Sequence, residues 1–397
     1  MRGVLRSVLG ALLLVVVVWL GVWWWAEGQM AAGITAWASQ TGNSAGEAIS
    51  YDRISRGTSP LAATVTLTNL RVALQPDASA QPVQIVLPTV LLRIDAFHPF
   101  LLRVEWPSRI NVNTARADIA ITSGQLETTE AIDPHELFTR QPYPFKNTVI
   151  SGHDIDALAS GGSLLILHID SLAAQASFNR DAKATDVAYQ FTSAINGIAL
   201  SPLLTRLASI PFDGKISELG LSANISGPVP ANFTALTDQI KALAPNDDAG
   251  RNKLMVQAVH DWAAAGGNAT SSFSLVLGPS TLNAKAAVAF NAQAQPSGTA
   301  DITADHLDEV SAAITNAYPQ TQNAANEIEA HLSPYLTSSD AGGQTLTMHV
   351  IYSKNTVSIN GQTVVPLPPL DWNTLENPPP PVAAPASAPG DGSGAAL

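Results

Sequence analysis

The first pattern in this chain that could do chemistry is a serine between glycines. Gly42-Asn43-Ser44-Ala45-Gly46 fits G-x-S-x-G, in which a strained strand-to-helix turn presents a serine nucleophile to a histidine. Such an elbow needs a buried apolar strand immediately before it. Ala38-Ser39-Gln40-Thr41 stands there instead, so Ser44 reads as part of a Gly/Ser/Asn linker. The eight histidines, His98, His135, His153, His168, His260, His306, His331 and His349, form no H-E-x-x-H pair or other metal-ligand spacing. His153-Asp154-Ile155-Asp156, with Asp170 further on, could ligate a cation. Turn chemistry in a glycine-flanked loop, with Asp side chains accepting from nearby amides, explains the same residues more simply. Asp305, Asp308 and Glu309 stand at i, i+3 and i+4, so a helix would gather three carboxylates near one face. Acidic residues in a first turn are favoured by the macrodipole without any further role. The sequons at Asn224, Asn232 and Asn268 carry meaning only in a eukaryotic secretory protein. Trp106, Trp262 and Trp372 sit beside apolar positions and read as core or interface anchors rather than as a ligand cage. None of these sets converges on a reaction, so no catalytic, cofactor-binding or metal-binding residue is assigned and no cofactor is expected.

Whatever the chain does, its N-terminus says where. Val4 to Trp25 is an almost unbroken apolar run behind Arg2 and Arg6, closed by Trp23, Trp24 and Trp25. As a helix it would span roughly 33 Å, enough for a hydrocarbon core of about 30 Å. No Lys or Arg follows until Arg53, which by the positive-inside bias leaves the N-terminus in the cytoplasm and the body outside, with the tryptophans at the far interface. A cleaved signal peptide is the competing reading, with small residues at Ala26 to Gly28 and Ala31 to Gly33. Signal h-regions are shorter, about 7 to 15 residues, which favours a retained anchor. The chain has no cysteine, which excludes disulfides, thiol nucleophiles and cysteine-ligated metal together. A net charge of -12 with 20 scattered Lys and Arg argues against nucleic acid as a partner.

The segments follow in order: cytoplasmic stub and transmembrane anchor over 1–28, juxtamembrane helix and linker over 29–50, a strand-rich body over 51–376, and a Pro/Ala/Gly tail over 377–397 that composition marks as disordered. Two halves of the body would divide near 230–250. Within it, short period-two runs such as Val83/Ile85/Leu87, Leu165/Leu167/Ile169 and Phe273/Leu275/Leu277 are bounded by Gly, Pro, Asn or Asp. Such alternation predicts antiparallel sheet with one buried face. In 63–74 the alternation slips phase at Thr68 and Asn69, which predicts a β-bulge. Helical spacing occurs at Met255/Val259/Trp262 after a cap at Asn246 to Asp248. Leu307/Val310/Ile314 and Ile328/Leu332/Tyr335 predict a helical pair joined at Tyr318-Pro319, and Phe233 to Leu243 a shorter helix. The fold class is therefore α+β and strand-dominated: one or more large antiparallel sheets, a few packed helices and one N-terminal transmembrane helix. Ser171 to Phe191 and Thr281 to Thr303 both run through Phe-Asn, at 178–179 and 290–291, which hints at an internal repeat.

Taken in order, these features and a set of short motifs resemble a known family. The motifs are Tyr51-Asp52-Arg53-Ile54 with Gly57 and Pro60-Leu61, Phe97-His98-Pro99 with Val104-Glu105-Trp106-Pro107, Trp262 with Gly266-Gly267, and Leu277-Gly278-Pro279. Gln295-Pro296-Ser297-Gly298 follows, then 356–361 with Leu367-Pro368-Pro369-Leu370. The chain is similar to the uncharacterised bacterial, mainly alphaproteobacterial, membrane-anchored envelope proteins catalogued as domain of unknown function 2125. It departs from them where Gly57-Thr58-Ser59-Pro60 stands for an expected Gly-Phe-Pro. The resemblance implies a bacterial inner-membrane protein, single pass, with a periplasmic body. That family carries no assigned activity. The leading expectation is thus a non-enzymatic protein that binds an apolar ligand, such as lipid, or an envelope protein partner. The alternatives are a tethered hydrolase using Ser44 or an acidic cation site near Asp154 and Asp305, or a purely structural envelope component.

Overall fold

A computed structural model of the chain describes residues 21–36, 38–39, 47–59, 61–74, 83–133, 145–183, 185–228, 236, 239–240, 242–244, 247–338 and 343–377. The alternating runs all become strands of one sheet, and every pairing in it is antiparallel. β1 (Glu47–Ser50) and β2 (Arg53–Arg56) lie end to end along β3 (Ala62–Leu74), which pairs with β4 (Val83–Asp95). Beyond β4 stand two short columns: β5 (His98–Glu105) with β8 (Gln125–Ile132), and β6 (Arg109–Asn113) with β7 (Asp118–Thr122). The long β9 (Phe145–Ala159) pairs with both β8 and β7. A meander follows through β10 (Leu164–Phe178), β11 (Val187–Leu200), β12 (Lys215–Ser226), β13 (Asn268–Leu277), β14 (Ser280–Phe290) and β15 (Pro296–Ala304). Next to β15 lies β17 (Gln344–Ser353), whose other edge carries β16 (Leu336–Ser338) and β18 (Thr356–Ile359), with β19 (Gln362–Pro366) outermost.

Helix α1, residues 21–36, covers the start of this sheet. Its Trp23, Ala26 and Met30 pack with Ala63, Ala96 and Ile94, and Ile34 packs on a core of Leu67, Leu70, Leu87 and Val90. Trp23 is thereby buried in the body, so the expected trio of interfacial tryptophans reduces to Trp24 and Trp25, which remain exposed. Residues 4–20 of the apolar run lie outside the described residues. Among the described residues no helix is long and apolar enough to cross a membrane. The other helices are α2 (Pro202–Leu207), α3 (Asp248–Ala264), α4 (Leu307–Ala317), α5 (Gln322–Leu332) and α6 (Trp372–Glu376). α3 starts at the expected cap, where Asp247 accepts from the Gly250 amide at 2.8 Å. α4 and α5 form the expected pair between strands. The expected helix near 233–243 falls largely outside the described residues.

The phase slip at Thr68–Asn69 takes a form other than a bulge. Leu67 pairs with Val90 and Leu70 with Leu87, so the register is the same on both sides, yet all four side chains are buried together. A bulge would have offset the register by one residue. Instead both strands invert their inward and outward faces at the same level. β3 does so at Asn69, left-handed at φ 51, and β4 at Pro88, which has no N–H to leave unpaired. This inversion continues in line across the neighbouring strands as a crease. β1 gives way to β2 at Tyr51–Asp52, β5 to β6 at Trp106–Ser108, and β7 to β8 at Ser123–Gly124. β9 turns at Asp154 (φ 51) and β11 at Gly197 (φ 65), with Asp170 of β10 between them. On either side of that point Leu172 pairs with Ile195 and Ile169 with Ile198, register again unchanged.

Left-handed backbone is costly for most residues and is admitted chiefly by Gly, Asn and Asp, the types found here. Side chains of the crease then bond along it. Asp52 accepts from Asn69 Nδ2 at 2.7 Å and from Arg71 Nη1 at 2.8 Å, and these donors, Asn69 first, hold its carboxyl below the usual range. His168 bridges two strands, Nδ1 to Asp156 at 2.7 Å and Nε2 to Asp170 at 3.0 Å. Two carboxylates, Asp156 foremost, raise its affinity for the proton. The loop expected for His153 to Asp156 is therefore corrected: these residues lie inside β9, because Asp154 serves the inversion rather than a turn.

Two outcomes test the crease. A Cβ at position 197 would fall 1.8 Å from Asp170 Oδ2 on left-handed backbone, so Gly197→Ala should cost about 1–3 kcal/mol or more in urea unfolding; an unchanged midpoint contradicts the assignment. His168 has its proton affinity raised by folding, so its stabilisation is full below its ordinary value and is lost as pH rises through the raised one. His168→Gln should therefore destabilise more at pH 5.5 than at pH 8.5, and equal losses at both would count against the bridge.

Candidate apolar binding face

Registers fix which side chains share a face. Past the crease, one face of β10 to β15 and β17 is apolar rung by rung. One rung runs Leu172, Ile195, Leu219, Leu275, Leu282, Ala304, Leu346. The next runs Ala174, Ser193, Leu221, Phe273, Ala284, Ile302, Met348, and a third Ala176, Phe191, Ala223, Ser271, Ala286, Ala300, Val350. A fourth, Phe178, Tyr189, Ile225, Ala269, Val288, Gly298, Tyr352, ends it. No rung contains a charged residue. The opposite face reads Gln175, Thr192, Ser222, Ser272, Lys285, Asp301, His349 along one rung. There Ser222 and Ser272 hydroxyls bond at 2.7 Å and His349 meets Asp301 at 2.5 Å. This sheet is amphipathic across seven strands.

A soluble sheet ordinarily buries its apolar face under a second layer. Here the layer is present only at the ends. Trp262 of α3 stands edge-on to Phe290 at 5.5 Å and donates to the Ser226 carbonyl at 2.9 Å, and Trp372 of α6 stacks on His260 at 4.8 Å. At the crease end α4 touches β14 and β17, where Ala304 and Leu346 are buried. Between these ends none of the rung residues on β10 to β13 is buried, and Leu221 and Ile225 are 45% and 38% exposed. The small residues Ala223, Ser271, Ala286 and Ala300 occupy the middle, with larger Leu221, Phe273 and Ile225 beside them, so the face is lowest at its centre. At a strand spacing of about 4.8 Å and a rise of about 3.3 Å per residue, the four rungs measure on the order of 29 by 20 Å, at the top of the range for the largest apolar patch of a monomer. Beside Phe178 a cavity of about 300 Å³ opens, lined also by Asp133, Lys146, Arg180 and Asp181, with Lys146 held to Asp133 at 2.6 Å.

The residues singled out for chemistry do not come together. Ser44 lies outside the described residues, as do His135 and Asn232. The expectation that Asp305, Asp308 and Glu309 share a helix face is corrected, because α4 begins only at Leu307. Asp305 lies before it and accepts from the Thr281 and Thr345 hydroxyls at 3.0 and 3.1 Å, and Asp308 accepts from the Gln344 amide at 2.8 Å. These carboxylates fasten α4 to the sheet. Asp154 binds His153 at 3.0 Å on a different strand pair. Among the described residues no three His, Asp or Glu side chains are grouped to hold a metal ion. Trp106 packs on the β3–β4 core and donates to Thr128 Oγ1 at 2.8 Å, and Trp262 and Trp372 fasten helices, so all three are anchors as expected. The two Phe-Asn sites are alike in detail: Asn179 and Asn291 side chains each accept an amide two residues on, and Ala182 and Ala294 are buried behind them. Sequence reasoning saw the large rung residues as strand alternation but missed the alanines. Their signal is faint: Ala174 and Ala176 flank Gln175, and Ala284 and Ala286 flank Lys285, but Ala173 and Ala287 stand on the opposite face.

No curated protein and no solved structure matches the chain. One family model does, that of DUF2125, described as an uncharacterized protein conserved in bacteria, and the match extends from residue 23 to residue 368. It takes in α1, the creased sheet and the whole apolar face, and on that extent the chain belongs to DUF2125.

Proposed function

We propose that this protein is a non-enzymatic, single-pass inner-membrane protein whose periplasmic body holds the acyl chains of a lipid along the open apolar face of β10 to β15 and β17. One observation carries the reading: four uncharged apolar rungs cross those strands, and helices cover them only at their ends. Acyl chains suit such a face because they need no hydrogen bond and no charge partner, whereas a docked protein is ordinarily oriented by polar and charged groups at the contact. The size fits as well. A bilayer leaflet's chains span about half of a 30 Å core, so a face roughly 29 Å across the strands takes one lipid with room for a second. The cavity beside Phe178 supplies a polar end, where Lys146 and Arg180 with Asp133 and Asp181 offer partners to a charged headgroup. Compartment follows from Arg2, Arg6 and the apolar run behind them, with no Lys or Arg until Arg53.

The test is lipid retention. Leu221 and Ile225 are already partly exposed, so Leu221→Asp with Ile225→Asp leaves the fold intact while removing apolar contact worth about 1.5–3 kcal/mol per side chain. The full chain purified from membranes should carry phospholipid that mass spectrometry identifies. The double variant should carry at least about tenfold less at an unchanged strand signal in circular dichroism. Equal lipid in both proteins, or none in either, refutes the reading.

A further inference from the structure

We infer that the tip of the β4–β5 hairpin, together with Trp24, Trp25 and Leu61, is a second membrane contact that seats in the interfacial layer of the bilayer. The inference rests on the proposal that the N-terminal apolar run crosses that bilayer. Phe97 at the tip is 81% exposed, Trp24 68%, Trp25 58%, Leu61 58% and Phe100 44%. They are neighbours. Ala96 donates its amide to the Leu61 carbonyl at 2.9 Å, and Trp23 packs against Ala63 and Ala96, which brings the start of α1 beside the hairpin tip.

A hairpin tip is ordinarily built from Gly, Asn, Asp or Pro, and neither turn geometry nor packing accounts for a phenylalanine standing almost wholly in solvent. Aromatic side chains are enriched where one end meets hydrocarbon and the other water. A cation stands at the same level: the Arg56 guanidinium lies 5.8 Å from the Trp24 ring centroid, placed to meet lipid phosphate. The occupant is indicated by the chain itself. The apolar run from Val4 to Trp25 leads into α1 and closes on Trp24 and Trp25, so the patch surrounds the point at which the chain would leave the hydrocarbon. Held by the helix alone the body could swivel. With Phe97 seated beside it, the body is held at two points and its sheet keeps a set orientation to the bilayer.

The absence of native cysteine makes the test direct. Phe97→Cys and, on the exposed polar face, Thr299→Cys are each made in the full chain, labelled with an environment-sensitive fluorophore and reconstituted into phosphatidylethanolamine/phosphatidylglycerol vesicles. Flotation reports the tether and iodide quenching reports the hairpin. The expected result is that the chain floats with the vesicles, that the label at 97 is blue-shifted and several-fold less quenched than at 299, and that the difference is independent of protein density. Equal quenching in a chain that floats overturns the hairpin contact and leaves the tether standing. A chain that does not float overturns both, and protection at 97 that grows with protein density, the mark of contact between copies, overturns the hairpin contact alone.

Discussion

Everything in this fold depends on holding one register while the side-chain phase inverts. Along a strand each residue's face is fixed by its parity, so a strand that changes phase alone would drive its apolar set into water or its polar set into the core. Here the neighbours invert together, at Asn69 and Pro88, then at Asp154, Asp170 and Gly197. Pairs on both sides of the crease stay matched. One rung past it, Ile155, Ile169, Ile198 and Ile216 still face one another across four strands.

From that constraint follows the division of labour in the sheet. Near the N-terminus the inversion lets Leu67 and Leu70 turn inward together against Ile34 of α1. A long apolar face on β10 to β15 and β17 begins at the crease and α4, with α3 and α6 standing at its other end. The helices do not complete a second layer there. Glu27 shows how differently the covered part is built: it is buried, and its carboxylate accepts the Thr64 amide at 3.2 Å, the bond that a charge taken out of water requires. The open part has no such charges to satisfy, so leaving it uncovered costs apolar exposure and nothing else.

Much of this was legible in the sequence, and the rest has physical reasons for being hidden. Period-two runs gave the strands and their antiparallel pairing, and Asn246 to Asp248 and Tyr318-Pro319 gave helix boundaries. Pro88 divided one strand into two apparent runs, Val83 to Leu87 and Leu92 to Ile94, because a phase inversion and a strand end look alike in one dimension. The slip at Thr68–Asn69 was visible, but whether it is a bulge or a shared inversion depends on the partner strand. Of the helical spacing Met255/Val259/Trp262, Trp262 packs as expected and Ala263 is buried beside it, whereas Met255 and Val259 are exposed. The binding face itself is a property of registers among seven strands, and eleven of its 28 rung residues are alanine, serine or glycine, which carry little apolar signal singly.

Ala286 and Ala287 offer the most direct measurement of the central claim. They are consecutive and both exposed, and the registers Ala286↔Ala300 and Ala287↔Thr299 place them on opposite faces of β14. A photo-crosslinking amino acid placed at each in living cells samples the two faces with every other variable held constant. Lipid adducts at position 286 and none at 287 are the result this account predicts. Equal lipid adducts at both positions, or a protein adduct in place of lipid at 286, would contradict it.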